Sequence, residues 1–231
     1  MLKTLKKIPW WGWVAGIGFF ILQYATYRAG DFLSDIIGTK AAAWCPKITA
    51  IDDLIPVVAI FAVIYLFSYV FWICAPIVAS LTKRSNFYNY LIGLSIAYFI
   101  GFLIFTFAPT YMDRAAEGLL NYSSDSGLFD SLLAIIYSAD GDSRAFNLFP
   151  SFHCLISAYC YLGIRKQPEI SKGFKIYTLI MAMLICCSTL LTKQHYFIDT
   201  VGGIGIAILV YIIVLKWNPG KKLLNRKNHA A

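Results

Sequence analysis

The amino-acid sequence predicts an all-α integral membrane bundle of six transmembrane helices with both termini in the cytoplasm. Three observations lead there: the composition, six apolar stretches and an uneven placement of basic residues. Of the 231 residues, 59% are hydrophobic and 14% charged, with a mean hydropathy of +0.65. A soluble domain carries roughly a quarter charged residues, so a water-soluble globule, a disordered chain, a coiled coil and a secreted disulfide scaffold are excluded. A span consumes about 20 residues, so the chain reads as one membrane-embedded domain, residues 1–231, without a separate soluble one.

The apolar stretches fall at 9–28, 55–80, 88–108, 151–165, 174–192 and 195–216. The first follows Lys3, Lys6 and Lys7 and is read as a retained anchor, because its apolar run exceeds that of a signal peptide and no small-x-small cleavage site precedes Arg28. Trp10, Trp11, Trp13 and Trp217 sit near span ends, where amphipathic rings favour the headgroup layer. Residues 29–54 carry four Asp, Lys40, Lys47 and the turn Trp44-Cys45-Pro46. The longest loop, 109–150, holds a semi-apolar piece, Leu128 to Tyr137, expected as a short interfacial helix. Long loops between tight connections are where function concentrates. The six cysteines, at 45, 74, 154, 160, 186 and 187, form no Cys-x-x-Cys pair and read as packing residues.

With six spans and an inside N-terminus, the cytoplasmic segments hold 14 of the 20 Lys and Arg, while the opposite side holds 11 of the 12 acidic residues. This is the positive-inside pattern. The net charge of +8 therefore reflects topology, and nucleic acid is not needed to explain it. The expected location is the cell membrane, multi-pass, with the long loop facing away from the cytoplasm.

Only three histidines occur, and His229 lies in the polar tail. His153 and His195 stand at the outer starts of spans four and six, in Asn147-Leu148-Phe149-Pro150-Ser151-Phe152-His153 and Lys193-Gln194-His195-Tyr196-Phe197-Ile198-Asp199. Ionisable groups at membrane level are costly and imply a partner or a cavity. His195 and Asp199, four apart, share one face of a helix. The carboxylate can accept a hydrogen bond from one ring nitrogen, fix the tautomer and leave the other nitrogen free to attack, which makes His195 a candidate nucleophile. Pro150 suits the first turn of the fourth helix and Asn147 its cap, so backbone N–H groups would face an anion, and His153 would protonate a leaving oxygen.

The third span ends in Pro109-Thr110-Tyr111-Met112-Asp113-Arg114. Arg114, Lys193 and Arg144 are three of the six basic groups on the outer side, and all flank the histidine segments. A phosphate ester fits: cations and N–H groups neutralise its oxygens, one imidazole attacks in line, and the other protonates the departing alkoxide. Two other readings use the same residues. One is a structural His–Asp pair in a non-catalytic transporter or assembly factor. The other is a zinc site of two His and an Asp, but no further Glu or His is at hand and Cys154 should point elsewhere, so neither a metal nor a cofactor is expected.

Pro150-Ser151-Phe152-His153 and the spacing Ser188…His195…Asp199 resemble the second and third motifs of the type 2 phosphatidic acid phosphatase superfamily, which includes vanadium haloperoxidases and sphingolipid head-group transferases. The resemblance implies metal-independent phosphoryl transfer, with His195 forming a phosphohistidine, Asp199 orienting it and His153 acting as general acid. The family's first motif ends in Arg-Pro, a dipeptide this chain lacks; Arg114 is the nearest counterpart, and Thr189 stands where the third motif has Arg. Lys193 would replace that charge. Lys193-Gln194-His195-Tyr196…Asp199 and Asp52-Asp53-Leu54-Ile55-Pro56 look like the branch containing inositol phosphorylceramide synthase.

The expected catalytic residues are thus His195, His153 and Asp199. The expected phosphate-binding residues are Arg114, Lys193, Ser151 and Arg144. The expected activity is a lipid phosphatase at the extracytoplasmic face, with a lipid phosphotransferase as the alternative; haloperoxidase activity is disfavoured by the incomplete set of cations. The partners are a lipid phosphate substrate and the membrane.

Overall fold

Each of the six apolar stretches folds into a helix. A computed structural model describes residues 8–122, 127–139 and 143–229. Besides the single turn Thr49–Asp52, the α-helices among the described residues are α1 (Trp10–Ile37), α2 (Phe61–Ala79), α3 (Arg84–Phe107), α4 (Leu128–Ala139), α5 (Phe152–Ile164), α6 (Lys172–Leu191), α7 (Phe197–Trp217) and α8 (Pro219–His229). Lys3, Lys6 and Lys7, expected to flank the first span, lie outside the described residues, as do the side chains of Lys227 and His229.

Among the described residues four helical segments are long and apolar enough to cross a membrane: Phe61–Ala79, Arg84–Phe107, Lys172–Leu191 and Phe197–Arg226. The protein is therefore a membrane protein. Between 28% and 44% of each apolar window is buried inside the bundle; the remainder turns Val, Ile, Leu and Phe side chains outward, a surface that only lipid covers without cost. The other two expected spans differ for separate reasons. In α1 the apolar half carries Trp10, Trp11, Trp13, Gln23, Tyr24 and Tyr27, which lower its hydropathy although its length suffices. In α5 the 13 residues rise only about 20 Å, against a hydrocarbon layer of about 30 Å.

The short helix is also the most enclosed. It packs against α2, α3, α6 and α7, and its Phe152, Leu155, Ile156, Tyr159, Cys160 and Ile164 belong to the main apolar core. Its start is capped by Ser151, whose Oγ accepts the Cys154 N–H at 3.3 Å. The cap is thus Ser151 rather than Asn147, and Pro150 precedes the helix instead of opening it. A hydroxyl one residue before the first helical turn satisfies an N–H that Asn147, four residues upstream, cannot reach.

The described residues between 109 and 150 fold over the end of the bundle at which α5 and α7 begin. Strands β1 (Tyr111–Asp113) and β2 (Arg144–Phe146) pair antiparallel, with Tyr111 opposite Phe146 and Asp113 opposite Arg144. The expected short helix is α4, whose Leu133, Ile136 and Tyr137 bury against Met112, Leu119, Leu148 and Tyr196 in a second apolar cluster. The turn at Trp44 joins this cap, exchanging backbone hydrogen bonds with Pro109 and Tyr111.

Helices α5 and α7 touch backbone to backbone at Gly203. A Cβ placed there would lie 2.5 Å from the Ser151 carbonyl oxygen and 3.0 Å from the Leu155 nitrogen. Gly203→Ala is expected to lower stability by about 1–3 kcal/mol through overpacking, while Gly205→Ala, where a Cβ meets nothing within 4 Å, is expected to be neutral or mildly stabilising. Thermal unfolding of both variants in detergent checks the pair.

Candidate active site

Three turns of chain converge below the cap. The third span's end contributes Thr110, whose Oγ1 accepts the N–H groups of Leu148 and Phe149 at 2.9 and 2.8 Å, while its carbonyl accepts the Asn147 N–H at 2.9 Å. Asn147 itself adopts φ 59, a left-handed conformation that Asn tolerates. The segment entering α5 is thereby held against the end of α3. On the other side the Ser151 N–H donates to the Asp199 carbonyl at 3.0 Å, tying the first histidine segment to the second.

The second segment is a tight connection between α6 and α7. Lys193, at φ 48, ends α6 in a left-handed turn, and the Gln194 and His195 N–H groups both donate to the Thr189 carbonyl. Asp199 sits in the first turn of α7, and its Oδ2 accepts the Tyr196 N–H at 2.8 Å. Asp52 braces the same junction: its Oδ1 accepts the Phe197 N–H at 2.8 Å and its Oδ2 the Ile48 N–H at 2.7 Å.

These supports bring the two imidazoles together. The rings of His153 and His195 lie 6.0 Å apart between centroids, and each is 9% exposed. The Asp199 Oδ2 stands 3.6 Å from His195 Nδ1, close but longer than a hydrogen bond. His195 Nδ1, Asp199 Oδ1 and His153 Nε2 are buried and make no hydrogen bond among the described residues. His153 is enclosed by three rings from one face of α2: Tyr65 stacks on it at 4.1 Å, with Trp72 at 4.7 Å and Tyr69 at 5.8 Å. That spacing, i, i+4 and i+7, puts all three on one stripe of the helix.

Both histidines border one cavity of about 550 Å³. Its opposite wall is α1, through Phe20, Gln23, Tyr24, Tyr27, Arg28 and Asp31, joined by Lys40, and Asn147 and Gln194 complete the polar lining. Arg28 and Lys40 are therefore the cations on the cavity wall. Lys40 pairs with Asp31 at 2.8 Å, and Asp31 also accepts the Asn147 amide at 3.4 Å. Arg28 is exposed on the wall. Neither cation stood out in the sequence, where nothing indicates that the first helix borders the histidines.

The four residues expected to bind phosphate do not line this cavity. Arg114 is fully buried behind it, donating to the Tyr137 carbonyl and, at 3.3 Å, to Gln194 Oε1, with its guanidinium over the Tyr137 ring. Lys193 Nζ donates to the Asp52 carbonyl at 2.5 Å. Ser151 caps α5. Arg144 is exposed over the Tyr111 ring. Thr189, at the position where the resemblance has Arg, is buried, and its hydroxyl donates to the Cys186 carbonyl.

Farther out, Lys47 bridges Asp53 and Glu117 at 2.7 and 2.8 Å, and these hydrogen bonds hold its ammonium pKa above the ordinary lysine value. Glu117 in turn accepts the Tyr196 hydroxyl at 3.0 Å, fastening the cap to the start of α7. Among the described residues no group of three or more His, Cys, Asp or Glu is arranged to hold a metal ion.

A family model described as the PAP2 superfamily matches residues 42–213, most of the chain and both histidine segments. Searches of curated proteins and of solved structures found no match.

Asp52→Ala removes the acceptor of two backbone N–H groups at the histidine junction. It is expected to cost about 1–3 kcal/mol of stability and to reduce any activity of the site without changing its dependence on pH. Unfolding and rate measurements on the same preparation check this.

Proposed function

The chain belongs to the PAP2 superfamily, the type 2 phosphatidic acid phosphatase superfamily that its motifs resemble, and from that premise we propose that it hydrolyses a phosphate ester of a lipid through a phosphohistidine. The coarser statement, a phosphatase- or phosphotransferase-type lipid enzyme in a membrane, follows from the family. The observation that carries the finer one is the pair of imidazole rings, 6.0 Å apart on one cavity wall, with a buried carboxylate 3.6 Å from His195 Nδ1.

On this reading Asp199 orients His195 so that Nε2 presents its lone pair to phosphorus. A P–N bond forms as the ester P–O bond breaks; the departing electron pair goes to the alkoxide, which takes a proton from His153. Water then attacks the phosphohistidine, giving its proton to His153, and the P–N bond breaks to release inorganic phosphate. The aromatic enclosure of His153 supports this assignment by excluding water from one side of the ring and fixing its direction. The excess of basic residues on the other side of the membrane supports a site facing away from the cytoplasm, in the cell membrane. Metal chemistry is not required by this sequence of steps.

A second reading rests on the size of the cavity. About 550 Å³ exceeds what a phosphate group fills, and the same cavity is lined by the polar side chains of Gln23, Arg28, Asp31, Lys40 and Asn147. An alcohol acceptor held there would replace water in the second step, which gives a lipid phosphotransferase with unchanged protein chemistry.

Purified protein incubated with lipid phosphates is expected to release inorganic phosphate, and a new phosphodiester in its place would establish the transferase. His195→Ala is expected to lower turnover by about a thousandfold or more, and His153→Ala and Asp199→Asn by about a hundredfold or more, with folding retained. Full turnover by the His195 variant would exclude the covalent route, whereas absence of turnover in the wild-type protein would favour the non-catalytic reading. Activity is expected to survive excess EDTA; its loss would restore the zinc reading.

A further inference from the structure

The developing charge on phosphorus needs donors beside the histidines, and the cations nearest them in sequence turn their charge elsewhere, while Arg28 and Lys40 belong to the α1 side of the cavity. Lys193 is taken up by the Asp52 carbonyl, and Arg114 stands behind the cavity wall. Between Arg114 and the cavity lies Gln194, 4% exposed, adjacent to His195 and part of the wall both histidines share.

The chemistry of the Arg114 contact determines how that amide is turned. A guanidinium has only donors, so the Gln194 atom facing Arg114 Nη2 at 3.3 Å has to be the carbonyl oxygen. The amide nitrogen is then directed away from Arg114, and Nε2 is buried and without a partner among the described residues. A buried N–H pair lacking an acceptor costs about 1–3 kcal/mol, an expense that a bound oxyanion would remove. Arg114 withdraws electron density through the oxygen it binds, which makes the N–H groups stronger donors. Arg114 is held in turn by the Tyr137 carbonyl and ring, so the arrangement is anchored in the cap.

We propose that Gln194 binds a non-bridging oxygen of the substrate phosphate through Nε2, and that Arg114 is a positioning residue that acts through it. This rests on the phosphoryl-transfer reading above and adds to it the donor that the missing arginines would otherwise supply. An anionic phosphoryl oxygen is the ligand, because an ionised acceptor gives the short, charge-assisted hydrogen bond that a neutral one does not.

The decisive variant is Gln194→Glu. A carboxylate still accepts from Arg114, so if Gln194 only satisfies Arg114 the variant should behave as wild type. If Gln194 donates to phosphate, the variant loses the donor and sets a negative oxygen against the substrate. The expected result is a fall in kcat/KM by about a hundredfold or more, with weaker inhibition by inorganic phosphate and an undiminished unfolding temperature. Gln194→Ala should fall by about ten- to a hundredfold. Arg114→Lys should be impaired in the wild-type background yet add no further loss to Gln194→Ala, since residues acting in series are non-additive. Calorimetric binding of inorganic phosphate to the full chain in detergent separates the two levels of the argument. Turnover and phosphate inhibition unchanged in Gln194→Glu would overturn the Gln194 assignment while leaving the enzyme reading intact. Wild-type protein that neither turns over lipid phosphates nor binds phosphate would overturn both.

Discussion

The arrangement depends on one backbone contact, the hydrogen bond from the Ser151 N–H to the Asp199 carbonyl at 3.0 Å, made where Gly203 lets α7 lie directly on the start of α5. Two segments more than forty residues apart in sequence are joined there, each with its histidine one short step from the joint. Because the contact is between main chains, it fixes relative height as well as distance, and the imidazoles face each other without any direct bond between them. The rest of the bundle sustains that joint: α2 and α3 enclose α5 from the sides, and α6 closes against its remaining face.

The cap serves the same end from above. Thr110 gathers three backbone N–H groups of the loop before α5, and Glu117 holds the Tyr196 hydroxyl, so the polar groups that a membrane would punish are spent on one another. Several cations near the site are consumed in this way. Lys193 and Lys47 stabilise carbonyl and carboxylate groups of the junction rather than standing ready for a ligand.

The nearness of His195 to Asp199 was legible in the sequence because it depends on local spacing, although His195 stands just before α7 and only Asp199 lies within its first turn; likewise Ser151-x-His153 marks the start of α5, with Ser151 as its cap. The helices were legible from apolar runs, although α5 proved too short and α1 too aromatic to meet the composition of a plain span. The cations were read from their nearness in sequence to the histidines, and nearness along a chain does not say which way a long side chain turns. Arg114 shows the point, since its partners come from Tyr137 and Gln194, 23 and 80 residues away. Likewise the stripe of Tyr65, Tyr69 and Trp72 looks like any lipid-facing aromatic run until α5 is placed against it.

The wall opposite the histidines comes from α1 and Lys40, and both precede the segment that matches the family, residues 42–213. On the proposed function, the groups that would handle phosphorus and the surface that would meet the remainder of the ligand are thus written in different stretches of the polypeptide. A few exchanges along a single helical face, between positions 23 and 31, would alter which molecules are admitted without disturbing the reacting groups.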